Sequence, residues 1–398
     1  MYDVIVIGAG PSGMMASITA AKNQKKVLLL EKNHNLGKKL LITGGGRCNL
    51  TNFKDIKDFS KEIPVNHNFL KYSLYNFGPN QIYDYFSNLG VDLKIEDDDR
   101  VFPVNNKASS IVEALQDELY KYKVAIKLNC TVFKISNKNN KYIIDTNNGS
   151  YEATNIVVAT GSKSFPQTGS SGDGYEFAGM LNQPLTDLYP SQAPLKLVNN
   201  LPLAGMTLDN IAIKLNDIVK TGPMLFTHSG ISGPVVFKIS EYVYQEFQKN
   251  KEVSIDINFL PSVSESELFE LLNTYEQRRE IKSFMRKVLP SRLADYILDF
   301  SKVKATDNIA VISNRDKKRL ISNVVNLQLF VKNKFSIENS FITGGGIDIK
   351  YINKQTMEST INPGLYFVGE LLDIHGSTGG YNITIALATG YIAGISIK

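Results

Sequence analysis

The chain has 398 residues, a net charge of +5 and two cysteines, Cys48 and Cys130, far apart in sequence. That length gives two or three domains with ample core and excludes a small disulfide-stapled scaffold. With no C-x-x-C pair and no His-rich tract, the composition argues against a zinc site and for a reduced, cytoplasmic protein, while the mild positive charge permits a polyanionic partner without requiring one.

A first strand is expected over Asp3 to Ile7, running into Gly8-Ala9-Gly10-Pro11-Ser12-Gly13, then a helix from Met14 to Asn23, a buried strand from Lys26 to Leu30, and Glu31. Strand, G-x-G-x-x-G turn, helix, strand and terminal acid in that order make a dinucleotide site. Gly8 permits the tight turn, Gly10 lets the backbone approach a pyrophosphate, and Gly13 lets the helix pack closely with its N-terminus facing the phosphates. Glu31 is placed to meet ribose hydroxyls. With a strand beginning near Tyr2, no signal peptide is expected. The stretch Ile374 to Ile397 has membrane length, but its five glycines and its hydroxyl residues make it too polar for a span.

A long polar loop follows, Lys32 to Asn52, holding Lys38 and then Gly44-Gly45-Gly46-Arg47-Cys48-Asn49. Three consecutive glycines suit a backbone laid against a flat ligand, with Lys38 and Arg47 near phosphate or substrate charge and Asn49 free to hydrogen-bond. Cys48 reads either as a nucleophile or proton donor, its thiol activated by the electropositive loop, or as a small packed residue. Two helices are expected between Asn66 and Gly90, divided near Gly78-Pro79, and another from Ala108 to Lys121. Val124 to Ile135 reads as a strand, with Lys141 to Thr146 as its hairpin partner. Asn155 to Val158 reads as a buried strand ending in Ala159-Thr160-Gly161, a second piece of the nucleotide site.

From about Tyr189 to Ser340 the composition changes to short alternating strands, which indicates a β-rich inserted domain. The expected division is therefore 1–189, 190–340 and 341–398, with the first and last parts forming one domain. Within the insertion a helical stretch carries Arg278, Arg279, Lys282, Arg286, Lys287 and Arg292, and a second basic knot holds Arg315, Lys317, Lys318 and Arg319. Each reads as a solvated helix face or as a surface for phosphates. His228 lies among small turn residues and faces either the reaction centre or its own turn. The chain then returns through a strand ending at Gly369-Glu370, followed by Asp373, His375, Gly379, Gly380, Tyr381 and Asn382 and a helix over Ile383 to Ala393.

A nucleotide site spread over three distant stretches suits a long cofactor, FAD. Glu370 is expected near the ribityl chain and pyrophosphate, and the Gly379-Gly380 turn aims a helix N-terminus at the flavin ring, where its partial positive charge favours the reduced form. No redox dithiol follows the first Gly-rich loop, which excludes disulfide reductase chemistry. No second G-x-G-x-x-G occurs, so NAD(P)H enters only as a transient donor. The candidates for acid or base are Arg47, Cys48, His228 and His375. No metal site is expected.

Gly-Gly-Gly-Arg-Cys-Asn at 44–49, Arg-Val-Phe-Pro at 100–103, Ala-Thr-Gly at 159–161, Phe-Thr-His with Ser-Gly-Pro at 226–234, Thr-Gly-Gly-Gly at 343–346 and Gly-Leu-Tyr-Phe-Val-Gly-Glu at 364–370 together resemble the BaiN-like flavoproteins, which include the aminoacetone-oxidase-like enzymes. The resemblance covers nearly the whole chain. It implies a Rossmann-like FAD-binding domain of the glutathione-reductase type, interrupted by an inserted β-barrel with a helical part. It also implies that backbone at Thr131 and Val132 meets the adenine end. The activities it implies are three: amine oxidation, reduction of bile-acid-type alkenes, and reduction of a uridine in 23S ribosomal RNA to dihydrouridine.

Overall fold

In the computed structural model, which describes residues 1–398, the run Val4-Ile5-Val6-Ile7 is buried at the centre of a seven-stranded sheet. Its strand, Tyr2–Ile7, pairs in parallel with Val27–Leu30 on one side and with Gly149–Val158 on the other. Such strands are covered on both faces, which is why they read as continuous apolar runs. Gly149–Val158 carries two further neighbours because its halves differ. Its first half pairs antiparallel with Lys141–Thr146, and its buried second half pairs in parallel with Leu365–Phe367. The returning C-terminal strand therefore lies beside the sequence-distant middle strand, and the tips of Tyr2–Ile7, Gly149–Val158 and Leu365–Phe367 share one end of the sheet.

The expected single strand from Val124 to Ile135 is instead two. Ala125–Lys127 extends the parallel sheet beside Val27–Leu30, and Val132–Lys138 forms the hairpin with Lys141–Thr146. Between them the chain turns at Asn129 (φ 53°) and the Cys130 N–H donates to the Glu31 carbonyl, so one extended segment cannot serve both pairings. The helices Lys71–Phe77 and Pro79–Asn88 meet at Gly78, and Ala108–Lys121 is a single helix, all as the periodicity indicates.

The C-terminal stretch forms the helix Tyr381–Ser396, which packs on Pro11–Lys22. Small residues set that contact: a Cβ on Gly390 would collide with the Ser12 carbonyl oxygen, and one on Gly394 with Thr19 Oγ1. This helix is core, and no helix is long and apolar enough to cross a membrane.

The chain divides into two units, Met1–Tyr189 with Ile337–Lys398, and Pro190–Ser336, so the second crossing falls just ahead of residue 340. In the second unit six strands run in the order Leu195–Lys196, Gly230–Ser232, Ile218–Thr227, Thr207–Leu215, Val253–Asn258 and Leu327–Val331. A bridge between Leu197 and Val331, with Val198 N–H donating to the Phe330 carbonyl at 2.9 Å, joins the two edges and closes the curl. Edge closure removes the unpaired strand rims an open sheet would leave. Helices over Glu265–Thr274, Ile281–Val288, Ser291–Phe300 and Asn314–Val325 complete this unit. So does Pro234–Phe247, a helix the sequence reading did not assign.

Candidate cofactor site

The three glycines of the opening turn have different jobs. Gly8 sits at φ +99°, and a Cβ there would lie 2.6 Å from the Ala159 carbonyl oxygen. Gly13 presses against Gly8 itself. Gly10 has φ −75°, which any residue adopts, and a Cβ there would meet nothing within 4 Å. The fold therefore does not require glycine at 10, and the open space beside it does. That space faces the N-terminus of Pro11–Lys22, a helix with no acidic residue in its first turn and no side-chain cap. Free N–H groups and a bare backbone are what a pyrophosphate needs.

A groove with about 970 Å³ of free space, counted to its open mouth, runs from this turn. Of the expected cofactor residues its walls take Gly8, Gly10, Pro11 and Ser12, then Glu31, Lys32 and Lys38, then Val132, Ala159, Thr160 and Gly161, and finally Glu370 and Asn382. Glu31 holds the walls in place: its carboxylate accepts from Ala9 N–H (2.8 Å) and from both the backbone and side-chain nitrogens of Asn33 (2.8 and 2.7 Å). Thr160 Oγ1 is buried in the wall with no hydrogen-bond partner in the protein. Buried hydroxyls are rarely left so, and a ligand hydroxyl or phosphate satisfies it.

Other expected residues lie off the groove. Gly13 and Gly369 serve packing, a Cβ on Gly369 falling 2.7 Å from Ser12 Oγ. Thr131 is exposed, its N–H bonded to Asn147 (2.8 Å). Gly45 has open space around it, outside the groove lining.

The Arg47-Cys48-Asn49 stretch is mainly a brace. Arg47 is paired with Glu96, donates to Asn106 at 2.9 Å, and stacks 4.1 Å over the Phe102 ring. Asn49, with its amide turned to satisfy both ends, donates to the Thr51 carbonyl (3.1 Å) and accepts from Gly380 N–H (3.2 Å). Asn52 donates to the Gly379 carbonyl (3.3 Å), and a Cβ on Gly380 would meet the Thr51 backbone. These contacts fix the turn that starts Tyr381–Ser396. From its first turn Tyr381 packs on Phe59, while Asn382 both lines the groove and clamps Gly376 through its N–H (2.8 Å) and carbonyl (2.7 Å).

The activated-thiol reading of Cys48 is corrected. Cys48 is fully buried, and burial pushes its thiol up to about 12. The loop cations that would lower it do not reach it. His228 is exposed in the turn between Ile218–Thr227 and Gly230–Ser232, in the second unit. His375 is buried edge-on to Tyr189, ring centres 6.2 Å apart. Near it Asp373 holds its proton above the usual carboxylate range, chiefly through burial and against bonds from Thr186 and Asn66.

Sequence reasoning missed several wall residues, among them Asn33, Lys39 and Ala386, while Thr168, Gly169 and Asp173 come from the 162–174 loop, whose composition marks backbone able to approach a ligand closely. The hydroxyl- and glycine-rich loop from 162 to 174 was a signal for part of this set, since Gly161, Gly169 and Gly172 all take positive φ. Lys39 had only its neighbour Lys38 to point to it.

The description HI0933-like protein Rossmann domain matches residues 2–396. The 3-dehydro-bile acid delta(4,6)-reductase of Clostridium scindens is 31% identical over 99% of this chain and 98% of its own. The ribosomal RNA dihydrouridine synthase of Escherichia coli is 30% identical over 98% of this chain and 96% of its own. Among solved structures, a 3-ketosteroid delta1-dehydrogenase from Sterolibacterium denitrificans superposes with a TM-score of 0.54 at 12% identity, covering 100% of this chain and 99% of its own, a likeness of fold. The architecture is thus a Rossmann-type FAD-binding α/β fold with an additional curled sheet.

Proposed function

Since the chain belongs to the HI0933-like family, we propose that it is an FAD-dependent oxidoreductase that reduces a carbon–carbon double bond conjugated to a carbonyl, with a uridine of 23S ribosomal RNA as substrate. The observation that carries the cofactor is Gly10, a backbone position left bare toward a groove that begins at a helix N-terminus and ends at another. The two relatives' names describe one kind of bond change. A delta(4,6) alkene beside a 3-oxo group and the C5=C6 bond of uracil beside its C4 carbonyl are both conjugated to a carbonyl, so each takes a hydride at the far carbon of the conjugated bond, β in uracil and β or δ along the diene, and a proton on the carbonyl side.

Bound FAD supplies hydride transfer at N5. The protein's part is to hold and polarise. Gly10 and the N-terminus of Pro11–Lys22 take the pyrophosphate, and Glu31 orders the ribose end. The N-terminus of Tyr381–Ser396, with no acid in its first turn, sets a partial positive charge toward the groove that Asn382 keeps in place. The α proton comes from a side chain or water; the Cys48 thiol, which burial holds protonated, does not serve, and Arg47 is committed to Glu96, Asn106 and Phe102. NAD(P)H is the proposed hydride source, docking and leaving. A ribosomal substrate also requires the cytoplasmic location expected from the cysteine usage.

Arg278, Arg315 and Lys318 are exposed and Lys282 is half-buried, and none of the four makes an ion pair. One observation favours a small conjugated alkene instead. Arg279 is paired with Glu276, Arg286 with Asp295 and Arg319 with Asp316, while Arg292 donates to the Pro202 and Ala204 carbonyls, so much of the basic stretch is spent within its own unit. Mass mapping of 23S rRNA from a strain lacking the protein separates the two. Loss of a dihydrouridine supports the RNA substrate, and an unchanged rRNA rejects it in favour of the small alkene.

A further inference from the structure

Two ion pairs join residues of the groove wall that come from separate stretches of chain. Lys32 Nζ lies 2.6 Å from Asp173 and bonds Ser171 as well, and Lys39 Nζ lies 2.6 Å from Glu370 and 2.8 Å from Ser164 Oγ. All four charged partners line the groove. Lys32 and Lys39 flank one loop; Asp173 closes the 162–173 loop on the other wall, and Glu370 follows the strand Leu365–Phe367. A third tie runs beside them, Asn33 Nδ2 donating to the Thr168 carbonyl at 3.1 Å.

The second wall is a loop held in strained, left-handed backbone. Gly161, Gly169 and Gly172 have φ of +74°, +96° and +91°, and Phe165 holds a left-handed φ of +57°. A left-handed aromatic residue is strained backbone that persists only when its surroundings enforce it. Here the Thr168 hydroxyl bonds the Phe165 carbonyl at 2.7 Å, and Lys39 Nζ sits 5.9 Å from the Phe165 ring centre. Lys39 thus grips this loop at Phe165 and Ser164 while gripping Glu370.

We propose that the pairs Lys32–Asp173 and Lys39–Glu370 are a double strap across the cofactor groove, and that a bound FAD leaves only when both open. Lys39 and Asp173 are then positioning residues that retain the cofactor. The inference rests on the FAD reading above. The pairs are about a quarter exposed on each side, 27% and 27% for the first and 22% and 22% for the second. At that exposure solvent and salt weaken them without abolishing them, so retention depends on ionic strength.

The test is the FAD off-rate of purified holoprotein, followed by the rise in flavin fluorescence after a large dilution that prevents rebinding, at low and high salt. Wild type is expected to release FAD faster as salt rises. Asp173→Asn and Lys39→Gln are each expected to release it about threefold faster at low salt and about tenfold faster together, with the salt dependence flattened. The swap Lys32→Asp with Asp173→Lys restores the slow rate if the pair itself is the strap. Wild-type rates in Asp173→Asn and Lys39→Gln overturn the inference, and so does acceleration that the swap fails to reverse, because that means separate contacts to FAD. Should Lys39→Gln fail to fold, the Lys32–Asp173 arm alone decides. A wild-type protein that takes up no FAD brings down the cofactor reading itself, a result distinct from an FAD-bound protein with an off-rate indifferent to these residues.

Discussion

Gly13 lies so close beneath Gly8 that a Cβ on it would collide with the Gly8 carbonyl oxygen, whereas three residues earlier in the same turn Gly10 faces open space. The same motif therefore contains fold glycines and a ligand glycine, and substitution separates them. Gly13→Ala should cost about 1–3 kcal/mol by forcing the helix off the turn. Gly10→Ala should leave stability unchanged or raise it by about 0.4–1 kcal/mol, since alanine accepts its φ. Yet Gly10→Ala should emerge colourless where wild type is yellow. Thermal melts of FAD-stripped protein and flavin content per chain are the measurements; a destabilised Gly10→Ala with full flavin would reverse the assignment.

Cys48 gives a pH prediction. Its thiol is raised to about 12 in the folded chain from an ordinary value of 9.0, because burial disfavours the thiolate. The folded state therefore keeps a proton that the unfolded state gives up. The stability linked to this group is complete below pH 9 and is lost as pH climbs from 9 toward 12. Cys48→Ala should flatten alkaline unfolding in that window, cost about 1 kcal/mol at neutral pH for the lost packing, and leave turnover within about threefold of wild type. A large fall in turnover at normal flavin content would return Cys48 to the chemistry.

Glu31 was legible as a ribose acid, but its carboxylate already accepts from Ala9 and Asn33. Glu31→Ala should therefore raise the FAD dissociation constant by about tenfold to a hundredfold, the scale of losing charge-assisted hydrogen bonds. A titration of stripped protein with FAD checks this.

The basic stretch divides into structural and free cations. Reversing Arg278, Lys282, Arg315 and Lys318 together should weaken RNA binding and flatten its salt dependence, with flavin content unchanged. Arg286→Ala, by contrast, should lower the melting temperature of the second unit by removing the bidentate hold on Asp295. Equal effects of both sets on RNA binding would mean that the ion pairs open on contact.

What the sequence showed and what it hid follow from how local each feature is. The strand-turn-helix at Gly8 to Gly13 is local, and its spacing alone carries the chemistry. Ala108–Lys121 and the break at Gly78 are local too. The split of the strand after Lys127 is not, because it depends on which neighbour each half finds across the sheet. Asn49 looked like a ligand for the same reason: a polar residue after three glycines does not reveal that its partner is Gly380, more than three hundred residues on. Lys39 escaped because it belongs to no motif, and only the folded groove brings it to its wall.

The most direct test of the central claim is a single anaerobic turnover. Holoprotein reduced by NADPH is mixed with 23S rRNA from the deletion strain, and flavin absorbance and uridine mass are followed together. The flavin is expected to reoxidise without oxygen, with one uridine per rRNA gaining two hydrogens in step with it. Flavin that stays reduced beside RNA of unchanged mass would contradict it.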